Sequence, residues 1–326
     1  MSLWRFGRVL PDAPAVLEGP DWRQADPRWI QRALGHALAR PTGGWAVLDA
    51  SRAIDGRARR HRAFGRDWVA FRASDGSVIC GPDACPHLGA ALAGACVRED
   101  HVVCPWHGLA LGARPRGAWR PVPTHDDGVL VWARFEALDP HTGPTPTDAP
   151  ILSARPTGPQ LDAVVRLEAA CEARDMIENR LDPWHGAHYH PHSFATLKVL
   201  ARTDEDITVR VAYRVAGPLA VEVDARFHSP EPRCITMTIV DGEGTGSVVE
   251  THATPLDEGR SAVIEATLAT SERPGFAWSV RWFARWMRPF AEARARRLWI
   301  EDCAYAERRC SLRLLAHRDD VPEAAP

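Results

Sequence analysis

Apolar residues at Trp29, Ile30, Ala33, Leu34, Ala37 and Leu38 recur at helical spacing. Asp26-Pro27 opens the run and Pro41-Thr-Gly-Gly44 closes it. The pattern predicts a helix laid against the domain that follows. From residue 45 to about 138 the period shortens to that of strands. WVAFRA (68–73) and SVICG (77–81) flank the turn Ser74-Asp75-Gly76, and HVVC (101–104) and VLVWARF (129–135) follow, the latter after Asp126-Asp127-Gly128. Residues 139–160 are rich in Pro, Thr and Gly and read as a linker. LDAVVRLEA (161–169) predicts a strand, and a helix is expected from about Glu172 to His190. Six β-like runs then extend to residue 270, separated by turns such as Gly217-Pro218 and Asp241-Gly242. Such spacing favours an antiparallel meander over βαβ alternation. A long helix is expected from Gly275 to Leu315, kinked or divided at Pro289.

The division that follows is an N-terminal helical segment (1–44), an all-β domain (45–138), the linker (139–160), a second domain (161–315) and a tail (316–326). The fold class is α+β. Hydrophobic residues at 45% and charged residues at 25% suit a globular protein, and a net charge of −2 gives no reason to expect nucleic acid. The first twenty residues lack a signal peptide's apolar core, and no apolar run reaches the roughly 18–20 residues of a membrane span. A cytoplasmic location, with reduced thiols free to bind metal, is the expectation.

Cys85-Pro-His87 and Cys104-Pro-Trp-His107 pair two thiolates with two imidazoles. Such a set suits a [2Fe–2S] cluster in which histidines replace cysteines on one iron. Structural zinc is the competing reading, although a one-residue C-x-H arm is unusual for it. Cys80 and Cys96 fall outside the motif and are expected to be buried. A second cluster lies in ENRLDPWHGAHYHPHSF (178–194), as Asp182-x2-His185-x4-His190. Two histidines and a carboxylate would leave positions open on Fe(II) for O2 and substrate. The third ligand is sought in WIEDCAYAERR (299–309), at Asp302 first, with Glu301 and Glu307 as fallbacks. His188 and His192 could replace either histidine.

Together the two motifs resemble the oxygenase component of Rieske-type non-haem iron oxygenases, over roughly Trp45 to Leu312. The resemblance implies a Rieske [2Fe–2S] domain, then a helix-grip catalytic domain whose antiparallel sheet folds around a long C-terminal helix. It implies Cys85, His87, Cys104 and His107 as cluster ligands, and His185, His190 and Asp302 as ligands of a mononuclear Fe(II). Asp182 then matches a carboxylate that is not a ligand and bonds a cluster histidine, His107, of a neighbouring subunit in a head-to-tail homotrimer. Asn179, one turn before Asp182, either bonds solvent at the iron or is a structural helix residue. Gly242-Glu-Gly-Thr-Gly246 lies between β runs and is expected to be a turn, so no dinucleotide fingerprint is found. Electrons from NAD(P)H are therefore expected through a separate ferredoxin or flavin reductase.

The substrate expectation is a bulky apolar molecule of terpenoid, carotenoid or steroid type, with a small aromatic as the alternative. Hydroxylation, desaturation, demethylation and dihydroxylation all stay open. A Rieske electron carrier with a non-catalytic second domain is the competing function. Trp278, Trp282 and Trp286 alternate with Arg281, Arg285 and Arg288. The expected arrangement is an aromatic stripe facing the core, and the alternative is peripheral membrane contact.

Overall fold

The computed structural model describes residues 24–216 and 219–319. Residues 1–23 of the expected N-terminal segment, the Gly217-Pro218 turn and the tail beyond residue 319 lie outside the described residues. Helix α1 (Pro27–Leu38) is capped by the Asp26 carboxylate, which accepts the N–H groups of Arg28 and Trp29 and so satisfies donors that the helix itself cannot. Its buried face packs with Ile177, Leu181 and Trp184 and with Val209 and Phe227 of the second domain's sheet. The first helix thus docks on the second domain, not on the β domain that follows it. Apolar spacing fixes which face is buried but not the partner that covers it.

The first domain carries nine short strands: β1 (Trp45–Ala50), β2 (Arg59–Ala63), β3 (Arg66–Arg72), β4 (Val78–Pro82), β5 (Val97–Arg98), β6 (His101–Val103), β7 (Ala110–Leu111), β8 (Thr124–Asp126) and β9 (Leu130–Arg134). They form three antiparallel sheets, ordered β1-β9-β8, β2-β3-β4 and β5-β6-β7. The third sheet presents the loops that hold Cys85 and Cys104. Cys80 is buried as expected, but Cys96 is exposed, because it lies just before the two-residue edge strand β5.

The second domain is one seven-stranded antiparallel sheet, ordered β10-β16-β15-β14-β13-β12-β11. Its strands are β10 (Leu161–Ala169), β11 (Phe194–Arg202), β12 (Ile207–Ala216), β13 (Leu219–Glu231), β14 (Cys234–Gly242), β15 (Val248–Asp257) and β16 (Arg260–Ala269). The stretch expected as one helix from Glu172 to His190 is two: α2 (Ala173–Arg180) and α3 (His185–Tyr189). The break falls at Asp182-Pro183, where the ring disfavours helical geometry in the preceding residue and removes a donor. Helix α4 (Phe276–Asp319) runs unbroken through Pro289 and past Leu315, so the proline does not divide it. Arg313 bonds Asp175 at 2.8 Å and Glu172 at 2.9 Å, and Arg309 bonds Glu178 at 2.5 Å, which ties α2 to α4.

Residues 139–160 form no strand or helix, yet they are anchored at both ends. Buried Arg233 donates to both oxygens of Asp139, at 2.7 and 2.9 Å, and to the carbonyl of Trp45 in β1. Arg155 makes two 2.6 Å bonds to buried Glu250 and one of 2.8 Å to Asp127. Paired guanidinium–carboxylate forks of this kind fix geometry as well as charge. The two domains are therefore joined by a buried polar seam.

His61 in β2 is buried, and its Nε2 has no hydrogen-bond partner. Burial depresses its pKa from the ordinary 6.5 to about 4. Between those two values the unfolded chain binds a proton that the folded one excludes, so His61 favours folding above pH 6.5 and that contribution drains away as pH falls toward 4. His61→Gln should keep more of its neutral-pH melting temperature at pH 5 than the wild type does, as read by paired thermal melts.

Candidate active site

The two cluster loops are built alike. The Cys85 N–H bonds the carbonyl of Ala90 and its carbonyl accepts from Gly89; Cys104 repeats both bonds with Leu109 and Gly108. Gly89 and Gly108 sit at φ 77° and 72°, where a side chain would be strained. Each loop folds its cysteine inward, at 3% and 2% exposure, and leaves its histidine outside. The rings of His87 and His107 lie 4.7 Å apart, with their Nδ1 atoms 3.3 Å from each other. Two buried sulfurs and two facing imidazoles meet the requirements of a [2Fe–2S] cluster ligated at Nδ1. Leu88 and Trp106 are exposed beside them.

His185, His190 and Asp302 converge in the second domain. Asp302 Oδ1 lies 2.9 Å from Nε2 of each histidine. The backs of both rings are already committed. His185 Nδ1 donates to the main-chain carbonyl of Asp182, and His190 Nδ1 donates to Glu301 at 2.5 Å. Both Nε2 atoms of the neutral rings therefore present lone pairs to a carboxylate oxygen. Three acceptors aimed at one point are stable together only around a cation, and two histidines with one carboxylate are the donor set of non-haem Fe(II) sites. Burial works against charge on Asp302, so its ionised carboxylate needs the Asn179 amide and a cation beside it.

The remaining expected residues are placed as follows. Asn179, fully buried, donates to Asp302 Oδ1 at 3.2 Å while its own carbonyl oxygen has no partner. Asp182 Oδ1 is also buried without a partner, and Oδ2 accepts from the Tyr305 hydroxyl at 3.3 Å. Burial pushes the Asp182 carboxyl up, against the pull of His185 and Tyr305. Glu301 stands behind His190 and not in the donor set, and Glu307 caps the N–H of Ala170 instead. His188 packs edge-on against Trp184, and His192 approaches Glu301 no closer than 3.9 Å, so neither joins the trio.

Sequence reasoning missed Glu301 as an orienting group and missed Tyr305, which also stacks on His185 at 5.0 Å. The signal for Tyr305 was its place three residues after Asp302 on one helix face. Gly186 is buried, and a Cβ there would meet the Phe194 ring at 3.2 Å, so the glycine lets α3 lie flat on β11. A second trio, Glu231, Cys234 and His252, lies within 4.8 Å in the buried seam, where His252 meets the Trp132 ring of β9.

Above the trio opens a cavity of about 880 Å³. Its walls are mainly apolar, including Leu197, Val211, Phe227, Met237 and Val249, and Phe276 and Trp278 of α4 also line it. Buried Glu265 contributes a polar point, accepting from Trp299 at 2.8 Å and lying 3.9 Å from Arg180.

Glu301→Gln should weaken metal binding at the trio by roughly 10–100-fold, the range for lost partners behind metal-bound histidines. Titration of the apo protein with Fe(II) or Co(II) reads this, and unchanged affinity would deny Glu301 an orienting role.

A family model described as Domain of unknown function (DUF5914) matches residues 141–317, and a Rieske [2Fe-2S] domain model matches residues 44–134. The chain is 28% identical over 148 residues to chlorophyllide a oxygenase of Chlamydomonas reinhardtii, covering 40% of this chain and 22% of that protein. It is 27% identical over 177 residues to the oxygenase component of 3-ketosteroid-9-alpha-monooxygenase of Rhodococcus rhodochrous, covering 48% and 43%. It thus spans less than half the length of either relative. Dicamba monooxygenase bound to dicamba superposes with a TM-score of 0.63 at 18% identity, over 89% of this chain and 93% of that one, which is a likeness of fold. The chain belongs to the family described as Domain of unknown function (DUF5914), carries a Rieske [2Fe-2S] domain before it, and has the α+β architecture of the oxygenase components of Rieske non-haem iron oxygenases.

Proposed function

We propose that this protein is the oxygenase component of a Rieske non-haem iron system that oxidises a bulky apolar organic molecule. The observation that carries this reading is the convergence of His185, His190 and Asp302 at an apolar cavity, in one chain with the paired cluster loops. When bound, the cluster stores an electron and the ferrous ion provides the place where O2 is reduced. In this reading Cys85, Cys104, His87 and His107 hold the cluster, and His185, His190 and Asp302 hold the iron. The cavity walls exclude water and orient the substrate. Asn179 fixes the ligand oxygen of Asp302 and offers its free carbonyl oxygen to solvent or substrate. Glu301 and the Asp182 carbonyl keep the protons of both histidines on Nδ1, so that Nε2 is free to bind.

The Asp182 carboxylate and the exposed His107, which do not meet within one chain among the described residues, would be the two halves of a contact between copies. A neighbouring copy in a homotrimer would complete it, with His107 donating to Asp182. Electrons from NAD(P)H would reach the cluster through a separate ferredoxin or flavin reductase. The Gly242–Gly246 segment is the turn between β14 and β15, with Gly246 N–H on the Ile239 carbonyl. All eight cysteines are free, which suits the reducing cytoplasm.

A cavity of 880 Å³ sits near the top of the roughly 300–1,000 Å³ range of small-molecule sites, which favours a terpenoid, carotenoid or steroid-like substrate over a single aromatic ring. One relative is named for a ketosteroid and another for chlorophyllide, both bulky molecules. Whether the product is hydroxylated, desaturated or demethylated depends on which substrate bond lies nearest the iron.

His185→Ala should lower the iron content from three per chain to two, abolish turnover with a surrogate reductase, and leave the visible cluster spectrum intact. A wild type that holds only two irons would mark the chain as an electron carrier with an inert second domain. Asp182→Asn should keep all the iron yet slow cluster reoxidation during turnover, on the order of a hundredfold. Stopped-flow absorbance reads that rate, and a normal value would remove Asp182 from the electron path.

A further inference from the structure

The aromatic stripe of α4 does not face the core. Trp278 and Trp282 are each 61% exposed, Trp286 67% and Phe290 79%, while Phe283 and Met287 widen the same stretch. Residues four apart fall along one side of a helix, so these side chains make a continuous apolar face. Folded proteins seldom leave so large a contiguous apolar patch in water, and its presence marks a contact surface. Trp is suited to the boundary between hydrocarbon and water, since its ring is apolar and its N–H polar.

The charges beside the stripe select the partner. Arg281 and Arg285 lie over the rings of Trp282 and Trp286, at 5.7 and 5.8 Å, and neither has a carboxylate partner among the described residues. From Phe276 to Arg297 the sequence holds six arginines against one acid, Glu292. Glu292 is paired with Arg52 and Arg288 with Asp162, which leaves Arg281, Arg285, Arg294, Arg296 and Arg297 without a carboxylate partner among the described residues. A cationic rim around an apolar face is complementary to a surface that is anionic outside and apolar beneath. Position points the same way, because Phe276 and Trp278, at the start of the helix, also line the cavity above the metal trio. No described hydrogen bond or ring contact joins this stretch to the cluster loops, where an electron donor must dock.

We propose that residues 276–290 of α4 seat the protein on an anionic lipid bilayer, so that an apolar substrate passes from the membrane into the cavity without crossing water. The use made of the seated surface rests on the oxygenase reading above; the seating itself does not. No helix among the described residues is long and apolar enough to cross a membrane, so the contact is with the surface.

The test uses the full chain with its metals loaded and vesicles of phosphatidylcholine, with or without phosphatidylglycerol. The wild type should co-sediment with the anionic vesicles at low salt, with a blue shift of tryptophan emission, and weaken as salt rises. Arg281→Gln with Arg285→Gln should weaken that binding roughly 25-fold, at about fivefold for each arginine near the surface. Trp282→Ser with Trp286→Ser should abolish the emission shift while the cluster absorbance stays unchanged. Failure of the wild type to bind anionic vesicles, or wild-type binding by the tryptophan variant, would overturn the proposal. So would a smaller solution mass for that variant by light scattering, since a second copy would then cover the face. Vesicle binding is read without turnover, so an inactive enzyme that binds, or an active one that does not, separates this inference from the proposed reaction.

Discussion

A carboxylate at 2% exposure beneath an apolar cavity can exist only if positive charge or strong donors stand beside it. Asp302 sets that condition for the second domain. The Asn179 amide supplies one donor, and the two histidines, with their Nδ1 protons committed elsewhere, supply lone pairs that call for a cation between them. Much of the surrounding architecture serves to keep these groups from drifting apart. Arg309 and Arg313 bind α2 to α4 and thereby hold Asn179 against Asp302. Gly186 lets α3 press onto β11 and brings His185 and His190 to the same point. The trio is held in place because α3 and α4, which present it, and α2, which carries Asn179, are each fastened by contacts outside it.

The same logic governs the relation between domains. The buried seam of Arg233–Asp139 and Arg155–Glu250 removes hinge freedom between the cluster domain and the sheet. Breaking one partner of such a pair would strand a charge in the interior, which makes the seam specific as well as stabilising. A fixed domain angle means that the exposed imidazoles point in one direction relative to Asp182.

Much of this was legible in the sequence. Alternating apolar residues located the strands of the seven-stranded sheet, and the C-x-H and C-x2-H spacings located the cluster loops. The hydrophobic period also located α1 but could not say what it covers, because its partners at residues 177–237 are far away in the chain. Glu301 and Asp302 are adjacent and alike in chemistry, and only their different directions from α4, roughly 100° apart on a helix, separate ligand from orienting group. The stripe at Trp278, Trp282 and Trp286 announced one apolar face, yet periodicity is blind to whether that face meets protein or something else. The break at Asp182-Pro183 was legible in the proline itself, which disfavours helical geometry in the residue before it.

That break has a bearing on how the molecule can be improved. In an unbroken α-helix the Asp182 carbonyl would be occupied by the N–H of Gly186; here that N–H goes to Pro183, and the carbonyl is free to steer the His185 ring. Substitutions that knit α2 and α3 into one continuous rod would gain helical hydrogen bonds and lose the tilt of an imidazole. Thermal robustness and the aim of the His185 ring are thus set against each other across four residues, and a search for hardier variants that ignores this joint will select proteins that are sturdier and have lost the geometry of the trio.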